Sequence, residues 1–301
     1  MGFLKKIVSN LTGADKQFTE IVKASDNGEE WANRELQKMW QSNDPTLIPR
    51  IHQARVSIYE NAAKSGNRDA ILKYARGLAY SDRHQESLHW YMQLIEKKDT
   101  EAMLELALDY TEFGGFGEDE AKHEYWIQQA AMLGNAQAQA KYGLILDAKG
   151  QTKQALDWYK KSAEQGNTSG KIGYASALDL VIMKMIHEKS NDIETIKSLY
   201  YTIEDLCIEV LNESEDDSEI DKAFGQLYNT YLYPPKGVCE PMPYRAAYFI
   251  YKSAVICDNE YSMDRLQKTA TEYNLGITQR TLQEWNEMSF DEWAELHNIN
   301  E

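Results

Sequence analysis

The 301-residue sequence has three cysteines, Cys207, Cys239 and Cys257, and no CxxC pair. An odd set without close pairs does not make a disulfide framework and points to a reducing cytosol. Prolines number six, and Pro234, Pro235, Pro241 and Pro243 fall within ten residues of one another. The remaining chain is nearly free of helix breakers and rich in Ala, Leu, Glu, Lys and Gln, which predicts helix almost throughout. No run of eighteen apolar residues occurs, which excludes a hydrophobic spanning helix and stable membrane insertion. The opening MGFLKKIVSNLTG lacks the apolar block of a secretory signal, and Lys6 stands where N-myristoylation needs Ser or Thr.

Basic residues are scarce: 32 Lys+Arg stand against 48 Asp+Glu, a net charge of −16. The deficit is uneven. Residues 1–190 carry 24 basic and 26 acidic side chains, residues 191–301 carry 8 and 22, so the net charges are −2 and −14. A nucleic-acid backbone needs a concentrated basic surface, so it is not expected as a partner. The acidic last third is compatible with a basic protein partner, and equally with solubility alone.

Catalytic signatures are missing too. HExxH, GxSxG and GxGxxG do not occur. GNTSGK, 166–171, has three residues between its glycines where a phosphate loop has four, and Ile172 follows the lysine. The six histidines are scattered, and His123-Glu124 has no second ligand at useful spacing. ESEDDSE, 213–219, lacks the alternation and glycine of a calcium loop and reads as a solvated, mobile connector. No enzyme, cofactor or metal is expected.

What the sequence does have is a repeated phrase: IYENAAKSGN at 58–67, WIQQAAMLGN at 126–135 and WYKKSAEQGN at 158–167. In register, the glycine column reads Gly66, Lys98, Gly134, Gly166, with spacings of 32, 36 and 32. One position on stand Asn67, Asp99, Asn135 and Asn167; four on, Ala70, Ala102, Ala138 and Gly170. Eight on come Tyr74, Leu106, Tyr142 and Tyr174. Eight before are Ile58, Trp90, Trp126 and Trp158, and three before are Ala63, Ile95, Ala131 and Ala163. Such a period belongs to stacked helix pairs. The glycine closes a helix in a left-handed conformation, and the Asn or Asp after it caps the next. The small residue lets two helices approach, and the Trp or Ile fills the layer between successive repeats. Lys98 departs from its column and costs that repeat its preferred cap.

The order Trp-Tyr-x-Lys-Ala/Ser-Ala-x-x-Gly-Asn, followed by Ala and then Leu/Tyr-Gly/Ala, resembles the Sel-1-like repeat, a branch of the tetratricopeptide-like superfamily. FGGFGED at 113–119 is similar to the family's glycine-rich turn, and YKSA at 251–254 aligns on KKSA at 160–163. The family's secreted bacterial members often carry a cysteine pair per repeat, which this chain lacks. The resemblance implies an all-α, right-handed solenoid of stacked antiparallel helix pairs. It implies N-terminal capping helices over 1–49, repeats over 50–180, and a degenerate enlarged repeat with an acidic connector over 181–219. A further repeat over 220–257 and capping helices over 258–301 complete the plan. The implied function is a non-enzymatic adaptor or scaffold that binds another protein.

By analogy the first helix of each unit lines the binding face, where Lys73, Arg76, Glu105, Asp109 and Lys141 are the expected exposed residues. In the proline-dense loop YLYPPKGVCEPMPY, Tyr231, Tyr233 and Tyr244 are either partner anchors or buried loop residues. Two alternatives stand beside the adaptor. One is an acidic binder that neutralises or chaperones a basic toxin or effector. The other is a protein held on a membrane surface by the stripe Phe3, Leu4, Ile7, Val8 and Leu11, which otherwise caps the solenoid.

Overall fold

The computed structural model describes residues 13–41, 44, 46–289 and 292. The apolar stripe at residues 3–11 lies outside them. Fifteen helices and no strand occur among the described residues, and none of these helices is long and apolar enough to cross a membrane. The chain divides into two compact units, 1–138 and 139–301. The first holds α1 (Gly13–Asp26), α2 (Glu30–Gln41), α3 (Leu47–Lys64), α4 (Arg68–Ala79), α5 (His84–Ile95), α6 (Thr100–Asp109) and α7 (Glu120–Met132). The division falls within α8 (Ala136–Ala148). The second continues with α9 (Thr152–Ala163), α10 (Thr168–His187), α11 (Ile193–Glu213), α12 (Asp217–Leu232), α13 (Pro243–Ile256), α14 (Glu260–Glu272) and α15 (Gln279–Glu287). Within each unit most successive helices pack on one another as the repeat requires, while α1 also packs on α3 and α13 on α15.

The repeat columns build one corner four times. Gly66, Lys98, Gly134 and Gly166 all take positive φ, from 63° to 92°. The amides of Asn67, Asp99, Asn135 and Asn167 then reach back to Ala62, Leu94, Ala130 and Ser162, closing the preceding helix. Their side chains accept from the N–H groups of Ala70, Ala102, Ala138 and Gly170, opening the next helix. So the small-residue column is also the capped column. A fifth corner, absent from the alignment above, uses Asp258 (φ 50°) and the cap Asn259, with one extra residue after α13.

Trp90 meets Tyr74 edge-on at 5.6 Å between ring centroids, and Trp158 meets Tyr142 at 5.4 Å. These contacts join the two helices of one unit, not successive units, because the antiparallel turn brings the columns eight before and eight after the glycine together. In the second unit Tyr159 lies between two glycines: a Cβ on Gly143 would stand 2.8 Å from its ring, and one on Gly173 2.3 Å. Such spacing leaves no room for any larger residue.

The stretch expected as an enlarged repeat holds the end of α10 and all of α11, the longest described helices, of 20 and 21 residues. The acidic stretch 213–219 is not a mobile connector. Only residues 214–216 lie between helices; Asp216 caps α12, Glu213 pairs with the buried Lys171, and Glu219 accepts from Ser169 and Ser214. At the far end, α15 buries Trp285 among Tyr244, Tyr248 and Tyr251.

Lys98 holds a left-handed φ of 63° that glycine adopts without Cβ strain, and its side chain is exposed. Lys98→Gly therefore raises stability by about 1 kcal/mol, and Gly166→Ala lowers it by about as much. Urea midpoints of the two variants against the parent read both signs.

Candidate functional site

In the first unit, α4 and α6 are the first helices of consecutive repeats. A cleft of about 390 Å³ opens beside them, lined by Asp26 of α1, Arg55 of α3, Arg68, Asp69, Leu72, Lys73 and Arg76 of α4, and Glu101 and Glu105 of α6. Period decides the wall: residues three or four apart on one helix share a face, so 69, 72, 73 and 76 on α4 and 101 and 105 on α6 look the same way.

Ion pairs rung the cleft from one repeat to the next. Arg68 Nε donates to Asp99 at 2.6 Å, and Nη2 donates to Glu101 at 2.6 Å. About two helical turns further along α4, Arg76 Nη1 donates to Glu105 at 3.1 Å. Behind them Arg55 grips Asp26 through Nε and Nη2, and this pair is mostly buried. Lys73 Nζ donates to the Asp26 backbone carbonyl at 2.6 Å and stands 5.2 Å above the Tyr59 ring.

Under Arg76 lies a buried polar layer. Asp109, the last residue of α6, is fully buried and accepts the Tyr91 hydroxyl at 2.8 Å. Burial pushes its carboxyl up to about 7, helped by the Glu105 charge, while the Tyr91 bond, Arg76 and the Gly115 amide pull the other way. His52 of α3 stacks on Tyr80 with centroids 3.8 Å apart. Burial, with Arg55 and Arg76 nearby, pulls its pKa down to about 3, so it is neutral. Among the described residues Asp109 Oδ1, Arg76 Nε and His52 Nδ1 are buried with no hydrogen-bond partner.

The structure brings together Lys73, Arg76 and Glu105. Asp109 is a correction: it faces the core, three residues after buried Leu106 and seven after buried Ala102, a spacing that marks the inner face. Lys141 is half-buried on α8 in the second unit. For Tyr231 the buried alternative holds, not the partner anchor. It is fully buried, bonded to Glu204 at 2.5 Å, stacked on Phe249 and covered by the Arg245 guanidinium. Tyr233 is exposed, and Tyr244 is half-buried against Trp285. The sequence reading missed Asp26, Arg55, Arg68 and Glu101. Of the structural columns, Ala63, Ala70, Ala102, Ala131 and Ala138 are buried, while Ala163 and the three tryptophans are half-buried. No group of three or more metal-ligating side chains with suitable placement occurs among the described residues.

The buried layer sets a pH dependence. Asp109 has a folded pKa above its free value of 3.8, so its stabilising contribution is full below 3.8 and lost as pH rises to about 7. His52 has a folded pKa below its free value of 6.5, so its contribution is full above 6.5 and lost as pH falls towards about 3. Between about pH 4 and 6.5 the two slopes oppose. Asp109→Asn leaves His52 alone, so unfolding free energy climbs with pH across that window by ~2–4 kcal/mol. His52→Phe, which keeps a ring on Tyr80, gives the opposite slope. Denaturant titrations at several pH values read both, and parallel curves for parent and Asp109→Asn would remove Asp109 from the balance.

No family model matches the chain. A curated protein of Schizosaccharomyces pombe, chitin synthase regulatory factor 4, is 30% identical over 125 residues, which is 41% of this chain. The match spans only 19% of that protein's length. Among solved structures, a protective antigen of uropathogenic Escherichia coli displaying an SLR fold superposes with a TM-score of 0.56 at 16% identity. That alignment covers 96% of this chain and 64% of the antigen. A Sel1 repeat protein from Oxalobacter formigenes aligns with a TM-score of 0.49 at 18% identity, over 78% of this chain and 98% of its own. Repeat columns, capped corners and superposed helix pairs agree: the chain has the fold of Sel1-like repeat proteins.

Proposed function

We propose that the chain is a non-enzymatic adaptor that grips another protein through the first-helix face of its repeats. The observation that carries this reading is the cleft of the first unit. It is walled by charged side chains from consecutive first helices, with Lys73, Arg76 and Glu105 at its surface. Helical repeats use such continuous faces for binding, because each unit presents the same columns at a fixed spacing. The curated relative is named a regulatory factor, which supports an interaction role over a catalytic one. Three free cysteines support work in a reducing, cytoplasmic compartment.

A second reading has its own observation. Residues 191–301 carry a net charge of −14, and a recess of about 600 Å³ in the second unit is lined by Asp217, Asp221, Asp258 and Glu260. That field favours a basic partner for the second unit, as an acidic binder of a basic toxin or effector would require.

Arg68→Gln with Glu101→Gln removes the half-exposed Arg68–Glu101 pair and with it the bonds of Arg68 to the mostly buried Asp99, so stability falls by about 1–2 kcal/mol. The adaptor reading expects the parent to retain one or a few proteins from its native extract in stoichiometric amount, and the double variant to retain them weakly. Retention of nothing by the parent overturns it. Retention of a basic protein that is lost at high salt yet indifferent to the double variant favours the acidic-binder reading.

A further inference from the structure

The corner from α1 to α2 holds the single Asn-Gly pair of the sequence, Asn27-Gly28. Its backbone copies the corners of the repeats: Gly28 takes a φ of 82°, and the Glu29 amide reaches back to the Ala24 carbonyl as Asn67 reaches Ala62. The side-chain chemistry is reversed. In the repeats asparagine follows the glycine, and Asn67, Asn135 and Asn167 each commit their side-chain oxygen to the next helix. Asn27 precedes its glycine and is exposed, and its side-chain amide has no hydrogen-bond partner among the described residues. Nothing lies within 4 Å of where a Gly28 Cβ would stand, so no side chain crowds the approach of the Gly28 nitrogen to Asn27. That nitrogen donates to the Ser25 carbonyl at 2.9 Å, in the last turn of α1. Helix ends open and close far faster than amides hydrolyse, so this bond slows an attack without preventing it.

We propose that Asn27 is a self-modification site whose conversion loosens the hold of α1 on the rest of the first unit. The Gly28 nitrogen loses its proton to solvent and attacks the Asn27 side-chain carbonyl carbon. A Cγ–N bond forms, the Cγ–Nδ2 bond breaks, and ammonia leaves. Water then opens the five-membered imide. Addition at the side-chain carbonyl gives aspartate; addition at the main-chain carbonyl gives isoaspartate, with the chain rerouted through the side chain. Water is the one co-reactant. The position gives the conversion its consequence, because the preceding residue is Asp26, which grips Arg55 with its carboxylate and Lys73 with its carbonyl. Isoaspartate inserts a methylene between the Asn27 amide, bonded to Ala24, and the Gly28 and Glu29 amides, bonded to Ser25 and Ala24. The three bonds cannot then keep one register, and a new carboxylate stands beside the mostly buried one of Asp26. This chemistry holds whatever the chain binds.

The test incubates the folded full chain for days in mildly alkaline buffer made with heavy-oxygen water. Trypsin then releases residues 24–34, a fragment that holds both Asn27 and Asn33. Asn33 is the internal control: Arg34 follows it, and its side chain accepts the Ser25 hydroxyl. Fragmentation mass spectrometry reads the amide-to-acid mass gain, the heavy oxygen and the isoaspartate at each asparagine. Asn27 is expected to convert at least about tenfold faster than Asn33, mainly to isoaspartate. The converted protein, separated by anion exchange on its added charge, then meets a brief trypsin treatment in its native state. It is cut after Lys23, in α1, at least about threefold faster than fresh protein. Asn27→Gln, whose attack would have to close a larger ring, passes through the same incubation unconverted and keeps the fresh rate of cutting. Conversion of Asn27 no faster than that of Asn33 overturns the inference. Converted protein cut at the fresh rate overturns it as well, and neither result bears on the adaptor, which retention from the native extract decides.

Discussion

Everything in this fold hangs on one corner. A residue in the left-handed region ends a helix, and the Asn or Asp behind it accepts the N–H three residues on, which starts the next. Each half alone is worth about 1 kcal/mol. Together they fix where one helix stops and where the next points, so every later contact inherits their geometry. The same reasoning explains why the column four past the glycine must be small. Gly170 shows the limit: a Cβ there would lie 2.3 Å from the Ser162 hydroxyl oxygen. Lys98 shows that the corner survives a poor residue, at the expense of local strain.

Because the corner fixes the period, much of the structure was legible in the sequence, including some contacts that were not read from it. Arg68 pairs with Asp99 and Glu101 at separations of 31 and 33 residues, and Arg76 with Glu105 at 29. These values bracket the 32-residue repeat, as they must when like columns of adjacent units lie side by side. Ser253 and Asp221 in the second unit are likewise 32 apart. Pairing basic and acidic residues one period apart would have found the cleft rungs. Asp26 was out of reach of that logic, since α1 precedes the repeats and its approach to Arg55 follows no period. Asp109 was misplaced, and Tyr231 left undecided, for another reason. Polar atoms suggested surface, but their spacing from Leu106 and from Phe224 and Leu227 puts both on the buried stripe, where the helical period outranks residue type.

The ion-pair ladder is a weak staple and a strong template. Its exposed rung contributes little, because water screens both charges and ordering long side chains costs entropy. The Arg55–Asp26 pair is different: with Asp26 only 6% exposed, removing one partner would strand a charge and cost ~3–5 kcal/mol. It ties α1 to α3, and through the Asp26 carbonyl it also holds Lys73 in place. A mostly buried pair thus positions Lys73, which no carboxylate among the described residues meets within ion-pair distance.

Asp109 makes sense only beside that cleft. An apolar residue at the end of α6 would avoid the burial of a carboxyl with one oxygen unbonded, so the position works against stability at neutral pH. What it supplies is geometry. One oxygen holds Tyr91 of α5, its backbone carbonyl accepts the Phe116 amide of the glycine-rich turn, and its charge lies close enough to Arg76 to act on it. Gly114 must be glycine there, because a Cβ would fall 2.3 Å from that carbonyl oxygen. Three elements and the guanidinium at the cleft therefore share one residue. Local rules tend to be broken where function outweighs stability, and this breach sits directly behind the side chains that line the cleft.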